Sequence, residues 1–513
     1  MPFRNFGRAA FECLLMMAVV SAMIAAAMPR AFAQASGPIA LRGTDPVASS
    51  SSSDSSAVIN YGKPTPKKPK LFQIAKPNPR VSPPLPPLTA YPTAPGMRKK
   101  SGYPQRLDAV PGPTVAISPG LPRPPRPKPD ERPFDPVGIG FGSLRLTPFV
   151  ETGLGYDSNP NRLPHPQKGS AFWRSDAGFA LKSDWLQNSV IADLRAGYSD
   201  YIQYHTADRP DAAGKINGRI DVTRDTQVNL EGRFTLDTQR PGSPELAAPG
   251  VAVVTDRPLI ATYGATAGVT QKFNRVLLSL RGTFDRVDYQ NGTLSDGSVL
   301  HLSRDDYSTY GLVGRAGYEL TPGLIPFVEF SGDIRRHDDS PDSNGFARNS
   351  QGIGGKTGAM VDLSKVLTGE VSAGYGQRTY VDSRLSALKG PLIDAALIWS
   401  ATPLTTVTLR GATTLGETNL AYASGVLSSR VSLELSHALF RNFTLTGIAT
   451  WQNNQYKGAP ITENLYSVLL RAEYNLTRSV AIRASFTNER LHSTASGSDY
   501  TANVFLVGMR LQR

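Results

Sequence analysis

From residue 142 onward, apolar and polar residues take turns along the chain with a period of two. Val276, Leu278, Leu280, Gly282 and Phe284 are apolar or small, and Leu277, Ser279, Arg281, Thr283 and Asp285 stand between them. Phe443, Leu445, Gly447, Ala449 and Trp451 alternate with Thr444, Thr446, Ile448, Thr450 and Gln452. Val228, Leu230, Gly232, Phe234 and Leu236 alternate with Asn229, Glu231, Arg233, Thr235 and Asp237. Successive side chains of a strand point to opposite faces, so this period describes strands with one apolar face. Eighteen such runs are expected, starting near Leu144, Phe172, Val190, Lys215, Val228, Ala261, Val276, Ser308, Ile325, Gly352, Leu367, Leu392, Val407, Ser429, Phe443, Tyr466, Val480 and Thr501.

The connections alternate between short and long. Short ones include Phe273-Asn274-Arg275, Leu320-Thr321-Pro322-Gly323, Ser364-Lys365-Val366, Thr402-Pro403-Leu404, Phe440-Arg441-Asn442 and Leu476-Thr477-Arg478-Ser479. Between them lie long polar stretches: 157–170, 237–258, 291–304, 337–350, 382–390 and 457–464. Membrane β-barrels sort their loops in this way, with short periplasmic turns and long external loops. A soluble sandwich has no reason to do so. The runs are long enough to cross a bilayer, which takes about 9–11 tilted residues. Closure then pairs every backbone polar group that lipid would leave unsatisfied. Tyr156, Tyr198, Tyr289, Tyr375, Trp451 and Tyr456 fall near the long loops, and Trp185, Phe273, Tyr318, Trp399, Phe440 and Tyr474 near the short turns. Two aromatic girdles at the two interfaces are expected from that placement. The predicted fold is all-β: a transmembrane antiparallel up-and-down β-barrel of about 18 strands over residues 141–513.

The first quarter of the chain changes the picture of charge. The whole chain of 513 residues carries +13, from 55 Lys/Arg and 42 Asp/Glu. Residues 34–136 hold 15 basic against 6 acidic residues, whereas residues 137–513 are nearly balanced at 37 against 35. A basic protein often binds nucleic acid, but no folded reader accompanies these charges and the chain carries an export signal. Arg4 and Arg8 precede an apolar run from Leu14 to Met28, and Ala31-Phe32-Ala33 has the small-x-small cleavage pattern. A signal peptide of residues 1–33 with cleavage between Ala33 and Gln34 is expected. The single cysteine, Cys13, lies inside it, so the exported part carries no thiol.

Residues 34–140 contain a serine tract, Ser49 to Ser53, and proline clusters such as Pro83-Pro84-Leu85-Pro86-Pro87 and Arg123-Pro124-Pro125-Arg126-Pro127-Lys128-Pro129. Proline fixes φ and removes the backbone donor, so neither helix nor sheet propagates. Such a segment buries too little apolar surface to fold. It is expected to be a disordered basic spacer on the periplasmic side, and its Lys/Arg clusters suit contact with anionic cell-wall polymer.

Candidate functional residues are the charged positions on the polar face of the strands. These are Arg195, Glu231, Arg233, Arg281, Arg315, Glu370, Arg410, Arg471, Glu473 and Arg483, all expected to face the lumen. Asp193, Asp285, Asp333 and Glu434 offset the arginines, so no ion preference follows. The acidic stretch His337-Asp338-Asp339-Ser340-Pro341-Asp342-Ser343-Asn344 is rich in oxygen ligands but lacks the ordered spacing of a calcium loop. The histidines are His165, His205, His301, His337, His437 and His492. Five are placed in loops and His437 by a short turn, none opposite a nucleophile in mid-strand. No zinc spacing and no phosphate loop appears. Neither enzymatic activity nor a cofactor or metal is therefore expected.

The first strand ends in Gly155-Tyr156-Asp157-Ser158-Asn159-Pro160-Asn161-Arg162, repeated hairpins follow, and the last strand reads Asn503-Val504-Phe505-Leu506-Val507-Gly508-Met509-Arg510-Leu511. Over residues 140–513 this resembles the type 2 β-barrel porins of the outer membrane of rhizobial and related proteobacteria. The resemblance implies outer-membrane location and a porin-like barrel, and it carries over no residue-level site. The expected function is a channel for passive passage of small hydrophilic solutes. Export of an exopolysaccharide, or a structural or adhesive barrel with a plugged lumen, are the alternatives. Outer-membrane lipid, lipopolysaccharide and the barrel assembly machinery are the expected partners, and nucleic acid is not.

Overall fold

The computed structural model describes residues 134–513, except 166–167, 240–243, 247–256, 343, 364–365 and 422. The signal cleavage site at Ala33 and Gln34 and nearly all of the spacer lie outside the described residues. Among the described residues, twenty-one strands occur in order. The first eight are β1 (Ile139–Phe141), β2 (Leu144–Asp157), β3 (Ser170–Ser183), β4 (Ser189–Tyr201), β5 (Arg209–Asp221), β6 (Thr226–Thr238), β7 (Leu259–Phe273) and β8 (Val276–Tyr289). A two-strand hairpin of β9 (Gly292–Thr293) and β10 (Val299–Leu300) follows. Then come β11 (Tyr307–Tyr318), β12 (Leu324–His337), β13 (Ser350–Leu363), β14 (Leu367–Tyr380), β15 (Leu388–Thr402) and β16 (Thr405–Gly416). The chain ends with β17 (Gly425–Phe440), β18 (Phe443–Lys457), β19 (Thr462–Asn475), β20 (Val480–Ser493) and β21 (Tyr500–Gln512).

Each long strand pairs antiparallel with its sequence neighbour. β8 pairs with β11 across the small hairpin, and β21 pairs with β2. The sheet is therefore closed, an 18-stranded antiparallel barrel with β1 added as a short flap on β2. Closure leaves no open edge among the staves. All eighteen predicted runs fall on staves, and the starts at Leu144, Val276, Leu367, Phe443 and Val480 coincide. The largest difference is β5, which begins at Arg209 rather than Lys215. Its first turn of strand, Arg209-Pro210-Asp211-Ala212-Ala213, has too little apolar contrast for alternation to register.

Loop lengths follow the predicted parity except between β18 and β19, where the connection expected to be long is only 458–461, shorter than the 319–323 turn on the other side. Two short turns that pattern alone left out are 184–188 and 222–225, and three long loops are 202–208, 417–424 and 494–499. The tightest turns need special backbone. Asn274 takes φ +55 in the two-residue β7–β8 turn, and Asn tolerates the left-handed region. Gly323 takes φ +90 where a Cβ would run into the Asp362 carbonyl oxygen.

Burial is inverted relative to a soluble protein. Val276, Leu278 and Leu280 on β8, Val431, Leu433 and Leu435 on β17, and Phe505, Val507, Met509 and Leu511 on β21 are exposed. Arg315, Glu329, Arg335 and Arg378 are buried. A continuous apolar outer belt of this size is what a membrane-embedded surface requires. Tyr156, Tyr198, Tyr375 and Trp451 sit on its long-loop border, and Phe273, Tyr318, Trp399, Phe440 and Tyr474 on its short-turn border. Three members of the expected girdle are different. Trp185 lies half-buried in the turn between β3 and β4, its indole nitrogen donating to Ser143 Oγ at 2.6 Å. Tyr289 packs against Leu246 and Leu302 beneath the loops, and Tyr456 is buried with its hydroxyl toward Glu463. Each of these two tyrosines lies one residue off the outward register of its strand. Trp173, Tyr310 and Tyr466 are exposed at that border instead.

Candidate functional site: the lumen wall and its mouth

The face opposite the apolar belt is the inner wall, and it carries charges in neutral groups. Across β11, β12 and β13 the ladder sets Arg315 beside Glu329 and Glu329 beside Lys356. Arg315 donates from Nε to Glu329 Oε2 at 2.7 Å, and Arg281 on β8 donates to the same oxygen at 3.0 Å. Lys356 Nζ lies 3.2 Å from the other Glu329 oxygen and donates to Asp394 at 2.6 Å. Arg315 also grips Glu370 on β14 with both terminal nitrogens, at 2.8 and 2.9 Å. Its guanidinium lies 3.9 Å over the Phe327 ring. Three cations thus meet three carboxylates. The result is a fork-to-fork pair inside a network that satisfies most of the buried donors.

Three further groups repeat the balance. Arg233 on β6 pairs with Asp285 on β8 and with Glu231, and Lys215 on β5 completes it at 3.0 Å from Glu231. Arg174 joins Asp176 at 2.7 Å and Asp211 at 2.9 Å, and Arg195 approaches Asp211 at 3.4 Å. Arg483 on β20 reaches Glu151 on β2 at 2.9 Å and Glu473 on β19 at 2.8 Å. Arg510 closes this last group at 4.0 Å from Glu151, its guanidinium 3.8 Å over the Phe149 ring.

Eight of the ten sequence-selected charges therefore belong to these groups: Arg195, Glu231, Arg233, Arg281, Arg315, Glu370, Glu473 and Arg483. The remaining two lie elsewhere on the wall. Arg471 lies half-buried on β19 beside Thr446. Arg410 lies on β16 in the row of Ala396 and Glu370, is exposed, and makes no ion pair among the described residues. Sequence reasoning passed over Glu329, Lys356, Asp394, Arg174 and Glu151. Their parity along the strands was the available signal, because each sits in step with a polar neighbour.

The long loops cross the mouth and lock together. Arg348 in loop 338–349 is 2% exposed. It donates to Asp342, to Ala423 O at 2.7 Å and to Leu420 O at 2.8 Å, so it bridges to loop 417–424. Arg335 on β12 pairs with Glu417 of that loop, and Asn344 donates to Asn419 O at 2.7 Å. On the other side Arg162 is buried between Asp157 at 2.7 Å and Glu489 at 2.9 Å, and Arg257 donates to Pro160 O. The acidic stretch after His337 is committed to these contacts. Asp338 holds Arg286 at 2.6 Å, and Asp342 accepts from Arg348 and from the backbone of Asn344 and Phe346. It is therefore not the plain solvated loop that its composition suggests.

A small cavity remains among these loops, lined by Asp305, Tyr307, His337, Glu417 and Asn419 among others. Burial pushes the Asp305 carboxyl up to about 6, and burial also pushes the neighbouring Asp306 up to about 7. A second grouping, Asp200, His205 and Asp208, is the one set of potential metal ligands gathered closely among the described residues. Asp200 and His205 are exposed, and His205 Nδ1 lies 3.3 Å from Asp208.

Among solved structures, the chain is similar to the siderophore receptor PiuA from Acinetobacter baumannii, with 9% identity and a TM-score of 0.39 over 73% of this chain and 82% of that one. It is similar to OpdL of Pseudomonas aeruginosa, with 12% identity and a TM-score of 0.35 over 72% of this chain and 99% of that one. The likeness to OccAB4 of Acinetobacter baumannii is 9% identity and a TM-score of 0.36 over 72% and 98%. No curated protein matches the chain. The family described as "Putative beta-barrel porin 2" matches residues 132–513, nearly three quarters of the chain including every stave of the barrel, and the protein belongs to that family.

Proposed function

We propose that the protein is an outer-membrane channel for passive passage of small hydrophilic solutes. The observation that carries this reading is the lumen wall, built from charge-neutral groups of paired Arg/Lys and Asp/Glu behind an apolar outer belt. A barrel of 16–18 strands is wide enough to hold an aqueous bore. A wall of balanced charge stays wetted without imposing a single sign, since rings of one sign are what confer strong ion preference. Lipid and lipopolysaccharide surround the belt in this reading, the assembly machinery inserts it, and the basic spacer extends into the periplasm toward the cell wall. No catalytic role is part of it. The interlocked loops favour a narrow mouth, and hence a conductance smaller than the barrel diameter alone would give.

The test is single-channel recording in planar bilayers. Stepwise ion current with a cation-to-anion permeability ratio within a few fold of unity supports the channel. A silent barrel, both intact and after substitution of Arg348, moves the reading to a plugged structural barrel.

A further inference from the structure

The loop between β4 and β5 gathers metal-ligating atoms on the outside of the barrel. Asp200 stands next to the end of β4, and its ladder partner is Trp173. Trp173 and Tyr198 are exposed, so Asp200 shares their outward face at the long-loop border. His205 opens the short turn His205–Ala207, and Asp208 follows it. That turn is fixed from within the fold. Ala207 is fully buried in a cluster with Phe172 and Tyr201, and the Asp208 amide donates to His205 O at 3.1 Å. The Tyr201 amide holds Asp208 Oδ1 at 2.7 Å, which leaves Oδ2 to meet His205 Nδ1 at 3.3 Å. Asp200 Oδ1 lies 3.8 Å from the same nitrogen. The three ligand atoms all lie within 4.8 Å of one another.

Two features separate this group from an ordinary exposed His–Asp hydrogen bond. The first is Asp200, which stands beside the imidazole at a distance too long for a hydrogen bond. The second is charge. Elsewhere on the barrel, carboxylates such as Glu329 and Asp211 gather around arginine or lysine. Here neither Asp200 nor Asp208 pairs with arginine or lysine among the described residues, and each has only His205 as its ionic neighbour. Two like charges this close repel, and a divalent cation between them makes both contacts attractive. Ligands about 2.1 Å from a tetrahedral Zn²⁺ stand about 3.4 Å apart. The spacing found here reaches that with small rotations of Asp200 and His205, both of which are exposed. Two carboxylates and an imidazole suit Zn²⁺, whereas Ca²⁺ takes about 6–8 oxygen ligands. We propose that Asp200, His205 and Asp208 bind one Zn²⁺ ion that staples the β4–β5 loop to the end of β4 on the outer rim of the barrel. Three protein ligands leave the fourth position open to solvent.

The site lies on the outer face, away from the lumen wall that carries the channel reading, so its test is independent of conductance. The full-length exported protein, without an affinity tag, is purified in detergent, freed of metal with EDTA, and titrated with Zn²⁺ and separately with Ca²⁺ by calorimetry. One saturable Zn²⁺ site per chain is expected, with Ca²⁺ about tenfold weaker or more. Asp200→Asn and His205→Gln should each weaken Zn²⁺ about tenfold or more. The control is His492, an exposed histidine 3.4 Å from Asp499 with no second carboxylate gathered beside it. His492→Gln should leave Zn²⁺ binding unchanged. Zn²⁺ should also slow proteolytic cleavage within 202–208 in the unaltered protein and not in Asp200→Asn, because a ligand of the closed loop stabilises it. Absence of a saturable site, undiminished binding by Asp200→Asn, or loss of binding in His492→Gln would overturn the proposal. Undiminished binding by Asp200→Asn would reduce the group to a histidine paired with Asp208. Should a variant fail to fold, anomalous scattering from Zn²⁺-soaked crystals of the unaltered protein decides, with a peak among Asp200, His205 and Asp208 expected and a peak only elsewhere overturning it.

Discussion

Arg315 on β11 and Glu370 on β14 stand two intervening strands apart on the wall, yet they meet in a bidentate pair at 2.8 and 2.9 Å. Neighbouring strands are about 4.8 Å apart, so side chains on a flat sheet would struggle to span that arc. The pair exists because the wall curves inward and shortens the chord. Glu329 sits under that chord and receives Arg281, Arg315 and Lys356 together. The inner wall is thus braced by side chains as well as by the ladder.

Glu329→Gln should show how far the barrel depends on that brace. The change keeps the shape and removes the charge that three cations share. Breaking a buried ion pair by removing one partner costs about 3–5 kcal/mol. The loss should appear as a lower temperature for conversion of the folded, fast-migrating band in heat-modification gels. The group is also left one positive charge in excess, so the permeability ratio should move toward anions. An unchanged transition would mean that water already shares Glu329's role.

The belt offers a second test. Leu278 is 42% exposed in the outward row of β8, and Ser279 beside it is 9% exposed. Leu278→Arg places a charge against lipid and should cost about 2–4 kcal/mol near the midplane. The alternation alone makes Ser279→Arg a mild change, since it faces inward. The structure reverses that expectation, because Ser279 is the direct ladder partner of Arg315. A second cation there is crowded and repelled. Thr450 is the better comparator: it lies on the inner face of β18 between Ser432 and Ser467, and Thr450→Arg should fold as well as the unaltered chain. Folded yields after detergent refolding would rank the three.

These two cases show what the sequence made legible. Period two located every stave, and loop parity oriented the hairpins, because a half-buried strand writes its two faces directly into the residue order. Polar parity also placed Arg281, Arg315 and Glu370 on one face. Which charges meet depends on curvature and on strand-to-strand register over distances that local pattern does not contain. The Arg315–Glu370 pair could not be read that way, nor could the burial of Ser279. The loops were least legible. Arg348 and Asp342 stand in a stretch of ordinary polar composition, and only the fold across the mouth brings Leu420 and Ala423 to them.

Arg348→Ala should loosen the mouth and spare the barrel. The substitution strands the Leu420 and Ala423 carbonyl oxygens and leaves Asp342 without its cation. The buried-pair cost of about 3–5 kcal/mol falls on loops 338–349 and 417–424 rather than on the ladder. Heat modification should be little changed. Limited proteolysis should gain a cleavage within 417–424, and single-channel current should rise or become less noisy. A drop in folded yield with intact loops would show that Arg348 acts during assembly.

The last expectation concerns Arg410, which isolates selectivity from stability. The other wall charges cannot be changed cleanly, because each is part of a neutral group whose disruption also weakens the barrel. Arg410 is exposed on the inner face of β16 and makes no ion pair among the described residues. Substitution at such a site away from buried partners is expected to stay within about 0.5 kcal/mol. Its charge, however, acts on passing ions through a bore less polarisable than bulk water, so it influences permeation more than folding. Arg410→Gln should shift the zero-current potential in a KCl gradient toward cations, and Arg410→Glu should shift it about twice as far, with the melting behaviour of both unchanged. The shifts should shrink as salt is raised, since screening shortens to about 3 Å at 1 M. Equal zero-current potentials for all three proteins would place the conducting path away from β16 and leave the channel reading to rest on the other neutral groups.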